Sequence, residues 1–503
     1  MQQLSELDSS FLYLETEHTP LHVGGVFVFQ RPKGDNTLDF EHFQRVLQSK
    51  LGNEPFFRER LVEYPLNLDL PVWTDDPDFD AARHISHDKL SQKETLLNSA
   101  ADFFSAPLDR TRPLWEARYI EDLQVDPSKS YEQEHFALLL KVHIAAIDGV
   151  SGEDILSQLV HVSPEVTKPE SDQDWTPTPL PDTGSWLGAA YNNVFNIPAK
   201  LTLLAKDTAA SAFYSVITER LSSLNLPSSL MKVADTPMNQ KISKSRAIEN
   251  IEIPLNQVRS IKKGLGSVTT NDVVMGICAE AIASYLRDME AESESDLIAL
   301  APISVRSTSL DVKSGNQLAA TLFSLASTEQ DPIKRICMIH KAATLENHYD
   351  SAISASHLTE LVPSCIAGLS ARVYSEFLLA QKHKPMFNLP IINIPGPQFP
   401  LYFENAELTQ FISTAPLFDG IGLALMIVSY NGNYSVTCTY NPEALSLKQP
   451  FEKYFQTAIE TILSSETEIP DCTDIDLSEP NTNKTGFIED VAGLVSNIFC
   501  VGK

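Results

Sequence analysis

The chain has 503 residues, 43% of them hydrophobic and 21% charged, with a formal net charge of −28. That length exceeds one small core and predicts two to four domains, or two large ones sharing an interface. The acidic balance excludes nucleic acid as a partner, because phosphate binding needs clustered Lys and Arg, and it opposes an anionic membrane unless a local patch reverses the field.

Taken in order, the chain first shows a helix over 5–14, headed by Ser5 with Asp8 three residues on as the acidic partner of the first turn. A strand over 21–29 follows, in which Gly24 and Gly25 mark a bulge or the close approach of another backbone or a ligand. His22 at its start is a candidate site residue, with a structural role as the plainer alternative. Residues 40–51 have the spacing of an amphipathic helix, 55–71 read as loop and strand, and 75–87 read as an acidic, solvated stretch. Pro107 and Pro113 hold extended chain, and Leu114, Trp115, Ala117, Tyr119 and Ile120 supply a strand.

The pattern centres on residues 136–149. Phe136, Leu138, Leu140, Val142 and Ile144 share one face of a strand, while Ala137, Leu139, Lys141 and His143 share the other, because strand side chains alternate with period 2. Asp148 and Gly149 form a turn signal before a helix over 150–160. His143 therefore stands at a strand end beside a loop, where α/β proteins place chemistry. A histidine bonded to backbone is the alternative.

Residues 163–185, with five prolines among Asp, Glu and Thr, have the composition of an extended connector, and 186–224 reads as a long helix. The second half continues with a strand at 251–254, a helix ending near Gly264, and a long helix over 273–286 capped by Thr270, Asn271 and Asp272. Asn271 either caps that helix or aims its amide at a developing oxyanion. Strands are predicted over 297–306 and 315–325, two helices over 332–380, a strand ending in Pro395 and Pro397, and a hairpin turning at Asn431, Gly432 and Asn433. No solenoid repeat is present, and both halves read as a sheet covered by helices.

Six cysteines, at 278, 337, 365, 438, 472 and 500, are scattered without a C-x-x-C spacing, which points to neither a zinc site nor a disulfide framework and predicts reduced thiols in a cytosol. The start, Met1 to Asp8, lacks a basic region followed by an apolar one, and no run approaches the roughly 18 apolar residues of a membrane span. No export or bilayer crossing is expected.

Several short blocks in one order resemble the bacterial wax ester synthase/diacylglycerol acyltransferases, relatives of the chloramphenicol acetyltransferase-like, CoA-dependent acyltransferases. They are Leu4-Ser5-Glu6-Leu7-Asp8, Pro20-Leu21-His22-Val23-Gly24, Pro113-Leu114-Trp115-Glu116, Lys141-Val142-His143, Asp148-Gly149, Asn271-Asp272, Gly315-Asn316-Gln317 and Asn393-Ile394-Pro395-Gly396-Pro397. The resemblance covers about residues 4–480. It implies an α/β fold of two chloramphenicol acetyltransferase-like domains, each a mixed sheet covered by helices, with an active-site tunnel between them. On that reading the chain divides into 1–165, a connector with its long helix over 166–230, a second domain over 231–480, and a tail over 481–503. The tunnel implies acyl-CoA as substrate, a long-chain alcohol or diacylglycerol as acceptor, and no cofactor. Its lining candidates are His22, Gly24, Trp115, Asn316 and Asn393. The implied placement is cytoplasmic, with peripheral contact to a membrane or lipid droplet as an option.

In that family two adjacent histidines precede the Asp-Gly, and the second is similar in position to Ile144. Attack by an alcohol on a thioester is helped about 10²–10⁴-fold by a base, and isoleucine cannot accept a proton. Two main readings follow. In the first, the chain is an acyltransferase in which His143 assists, Asn271 positions the acyl oxygen, and Asp148 with Gly149 holds the loop. In the second, it has lost turnover and binds acyl-CoA, lipid or an active paralogue. A third has an acceptor more acidic than an alcohol, such as a thiol.

Overall fold

The computed structural model describes residues 2–32, 38–52, 54–64, 70–90, 95–123, 135–146, 159–164, 176–178, 233–304, 318–346, 353–354, 387–465 and 472. The expected helices over 150–160 and 186–224, the connector, the second helix of 332–380 and the tail lie outside them or nearly so, as do Asp148, Gly149 and Asn316.

The first half supplies strands β1 (Gln2–Gln3), β2 (His22–Gln30), β3 (Glu59–Val62), β4 (Val72–Asp75), β5 (Ile85–Lys89), β6 (Trp115–Leu123) and β7 (His135–His143). The second supplies β8 (Ala247–Pro254), β9 (Ile298–Ser304), β10 (Leu318–Ser324), β11 (Ile353–Ser354), β12 (Leu389–Pro395), β13 (Tyr402–Phe403), β14 (Ala406–Thr414), β15 (Leu423–Tyr430) and β16 (Asn433–Tyr440). They form a small sheet β1-β4-β3, a six-stranded sheet β13-β14-β2-β7-β6-β5 and a seven-stranded sheet β11-β10-β9-β12-β15-β16-β8. Both large sheets mix parallel and antiparallel pairs. This is the two-sheet α/β architecture expected from the sequence.

The strand β7 is buried on both faces, which explains its near-continuous apolar run. On one face Phe136, Leu138, Leu140 and Val142 join Phe27, Phe29, Trp115, Tyr119 and residues of helices Glu6–Leu14 and Phe40–Gly52. On the other, Ala137 and Leu139 meet Val26, Val28, Ala100, Phe103 and Phe104, the last three on helix Leu96–Ser105. That second cluster also takes Ile248 of β8 and Ile412 of β14, so residues from both halves share it.

β14 pairs along its length with β2, although a division of the chain by sequence leaves 402–414 with the second half. Neither β14 nor helix Leu96–Ser105 is among the elements expected from the sequence. In the second half, helix Thr270–Asp288 lies in the core with helix Phe451–Ser464 against the seven-stranded sheet.

Three local expectations need correction. Residues 75–87 are solvated only in part: Asp78, Asp80, Ser86 and His87 are exposed, but Asp76 and His84 are buried, and His84 stacks on Trp115 with ring centroids 4.6 Å apart. The cap of the long helix is Thr269, whose hydroxyl accepts from the Asp272 N–H while Asp272 accepts from the Thr269 N–H, so Asn271 stands inside the first turn. Cys337 and Cys472 are joined as a disulfide across 135 residues, against the expectation of reduced thiols. Cys278 and Cys438 are buried free thiols, and burial pushes Cys278 up to about 12. No helix among the described residues is long and apolar enough to cross a membrane.

Candidate active site

The β2–β7 ladder runs in unbroken register to its end, where His22 stands opposite His143. The pairing has no bulge, so strand alternation keeps His143 on the face of Lys141 and places His22 beside it. The strand end is pinned on both sides: the His143 N–H donates to Leu114 O at 3.0 Å, and the Ile144 N–H to Leu21 O at 2.9 Å. Ile144 does not extend the apolar row of β7. It opens a single 3₁₀ turn, Ile144–Ala146, and is half-buried there.

His143 is 0% exposed. Its Nδ1 accepts from the Ala145 N–H at 3.1 Å, which leaves the proton of the neutral ring on Nε2. Nε2 lies 3.6 Å from the Glu15 carboxylate. Glu15, the C-cap of helix Glu6–Leu14, also accepts from the Leu21 N–H at 3.0 Å and from Arg110 at 2.6 and 3.1 Å. Burial works against its ionisation, but the nearby His143 ring and the Arg110 guanidinium outweigh it and hold the carboxyl at about 2. Neither Glu15 nor Arg110 carries a motif signal, and only the tertiary structure brings them to His143.

His22 donates from Nε2 to Phe104 O at 2.6 Å, since a carbonyl can only accept, and its Nδ1 is buried without a hydrogen-bond partner. Burial, with the Lys141 charge, pushes the ring down to about 3. Lys141 is an ammonium inside the protein, where an isolated charge would cost several kcal/mol. It donates to Phe103 O and Ala106 O at 3.0 and 2.8 Å and pairs with Glu116 at 3.0 Å. Burial still lowers its pKa against the pull of Glu116.

The other candidates separate into packing and polar groups. At Gly24 a Cβ would come within 2.0 Å of Leu140 O and 2.7 Å of the Phe104 ring, so the close approach read from the paired glycines is that of the neighbouring strand. Trp115 is a core residue whose indole N–H donates to Phe57 O at 2.9 Å. Asn271 and Asn393, 122 residues apart, do meet: the Asn393 amide donates to Asn271 Oδ1, while Asn393 Oδ1 is buried without a partner.

Residues 4–274 match the wax ester synthase/diacylglycerol acyltransferase catalytic domain, and residues 314–463 match the C-terminal domain of the same family. The chain belongs to the wax ester synthase/diacylglycerol acyltransferase family. The O-acyltransferase WSD of Acinetobacter baylyi is 28% identical over 449 residues, covering 86% of this chain and 90% of that protein. The wax ester synthase/diacylglycerol acyltransferase of Marinobacter aquaeolei VT8 superposes with a TM-score of 0.65 at 25% identity, covering 92% of this chain and 98% of that one. The trichothecene 15-O-acetyltransferase of Fusarium sporotrichioides shares the fold at 11% identity, with a TM-score of 0.55 over 92% and 94% of the two chains.

Proposed function

We propose that this chain is an acyl-CoA-dependent O-acyltransferase of neutral-lipid type, transferring an acyl group from the CoA thioester to a long-chain alcohol or diacylglycerol. What carries the reading is the family match over both domains, together with relatives named for that chemistry. The acceptor oxygen bonds to the thioester carbonyl carbon, the C–S bond breaks, and the hydroxyl proton ends on the CoA sulfur. The thioester is already activated, so no cofactor is called for.

In this reading both substrates meet in a tunnel between the two sheets. Asn271 presents its amide N–H groups to the acyl oxygen, a role supported by the Asn393 hydrogen bond that occupies its Oδ1. Orientation and such dipoles sustain rate separately from a base. Asp148 and Gly149 hold the loop. Acceptors of this class partition into lipid, which suits a cytoplasmic protein touching a membrane or lipid inclusion. Val162 and Phe399, 70% and 50% exposed on the two segments joined by the His161–Tyr402 bridge, are the apolar side chains we assign to that contact.

A second reading, of a member that binds acyl-CoA or a paralogue without turnover, is favoured by one observation: the His143 ring is committed at Nδ1 to Ala145 and faces Glu15 at Nε2, while Ile144 has no acceptor atom. Measuring CoA release from palmitoyl-CoA with hexadecanol or a diacylglycerol, beside the Ile144→His variant, separates the two. Turnover by the unaltered chain above a no-enzyme control supports the enzyme. Silence in the unaltered chain with turnover in the variant supports the binding protein, and silence in both counts against the acyltransferase site altogether.

A further inference from the structure

We infer that Glu15 and Arg110 are positioning residues of this site: they hold the His143 imidazole in one tautomer and thereby set the turn that presents residue 144. Four chain segments converge on the Glu15 carboxylate, contributing the Leu21 N–H, the Arg110 guanidinium, the His143 ring and the helix end that carries Glu15 itself. Taking a carboxylate out of water costs several kcal/mol unless its lone pairs are well matched, and such a convergence meets that requirement.

The geometry passes from Glu15 to residue 144 by two routes. Along the first, the Glu15 carboxylate stands 3.6 Å from His143 Nε2, beyond hydrogen-bond length but near enough for its charge to favour the N–H there, which leaves Nδ1 as the acceptor for the Ala145 N–H. A ring with the opposite tautomer would set two N–H groups against each other at Ala145 and turn a lone pair toward the carboxylate. Along the second, Glu15 fixes Leu21 by its N–H, and Leu21 O receives the Ile144 N–H. Arg110 closes the arrangement, because the nitrogen that binds Glu15 also donates to Leu12 O in the last turn of helix Glu6–Leu14 at 2.6 Å. The backbone at 144 is therefore held by groups other than its own side chain, and it remains built to present a functional group although isoleucine occupies it.

The test uses the full chain with 15N-labelled histidine, in which the His143 ring signals are assigned by their loss in His143→Asn. The unaltered chain is expected to show one tautomer, protonated at Nε2. Glu15→Gln and, more mildly, Arg110→Lys should convert it to a mixture. A single unchanged tautomer in both variants, each folded by circular dichroism, overturns the inference; if Glu15→Gln fails to fold, Arg110→Lys alone decides. The kinetic arm rests on the acyltransferase reading and uses the Ile144→His background. There Glu15→Gln should lower kcat about 10-fold or more, as expected for a displaced reacting group, with KM for palmitoyl-CoA within about twofold. An inactive Ile144→His background would count against the acyltransferase reading, and the tautomer result would still decide the role of Glu15 and Arg110.

Discussion

Two polar clusters of this protein, one around His143 and one around Asn271 and Asn393, are built from different groups: paired charges in the first, neutral amides in the second. Around His143 the charges are matched, Glu15 by Arg110 and the Leu21 N–H and Lys141 by two carbonyls and Glu116, while the imidazole accepts from Ala145 and leaves its buried Nε2 without a hydrogen bond, 3.6 Å from Glu15. Around Asn271 and Asn393 one bond joins two half-buried amides, and Asn393 Oδ1 is left over. A cluster whose charges are matched holds its shape, and its spare bonding capacity lies on the two ring nitrogens, His22 Nδ1 and His143 Nε2. In the amide pair Asn393 holds Asn271 Oδ1 and so orients the Asn271 N–H groups, and donors of that kind are what stabilising a developing negative charge requires.

Acid should break the first cluster with the largest effect. Glu15 has its folded carboxyl depressed to about 2 from 4.5, so its contribution is present above 4.5 and is lost as the pH falls toward 2. His22 is depressed to about 3 from 6.5, so the unfolded chain takes up its proton first and stability declines as the pH drops below 6.5. Denaturant titrations from pH 7 to pH 3 should show a continuous fall, and His22→Asn should flatten the part nearest pH 6; a flat profile above pH 4.5 in the unaltered chain would refute the His22 assignment.

Glu15→Ala comes next. It removes the acceptor of the Leu21 N–H and the carboxylate paired with Arg110, and a loss of about 3 kcal/mol is expected for breaking such a buried pair from one side. Urea midpoints read this directly. Lys141→Met removes a buried charge but strands two carbonyls, for an expected loss of about 1–3 kcal/mol. Equal stability of Lys141→Met and the unaltered chain would mean that the desolvation of the ammonium cancels its bonds.

The smallest stability effect is expected in the second cluster. Asn393→Ala should change stability by less than about 1 kcal/mol, since it removes one amide–amide bond. In the Ile144→His background it should nevertheless lower turnover about 10-fold, because Asn271 loses the bond that orients its N–H groups toward the acyl oxygen. A variant that loses stability and keeps its rate would reverse the contrast between the clusters.

Much of the scaffold is legible along the chain. Ser5 reads as a cap and accepts from the Asp8 N–H at 3.0 Å. The turn at Asn431 and Gly432 takes positive φ at both residues and joins β15 to β16 as a hairpin needs. The long helix of the second half is also readable, but its cap is placed one residue late, because Thr269 and Asp272 form the reciprocal pair and Thr270 does not. The candidate site is less legible. Alternation correctly puts His143 with Lys141, yet it cannot reach Ile144, where the strand has already given way to a 3₁₀ turn.

The sequence by itself determined the periodic elements, the family blocks and the absence of a titratable group at position 144. Those properties depend on residues a few positions apart, within the reach of helix, strand and turn spacing. Tertiary structure alone decided that Glu15 meets Arg110 across 95 residues, that β14 completes the first sheet beside β2, that Cys337 finds Cys472, and that Asn393 finds Asn271. Each of those contacts depends on how sheets and helices stack, and no local spacing rule encodes which buried charge will face which partner.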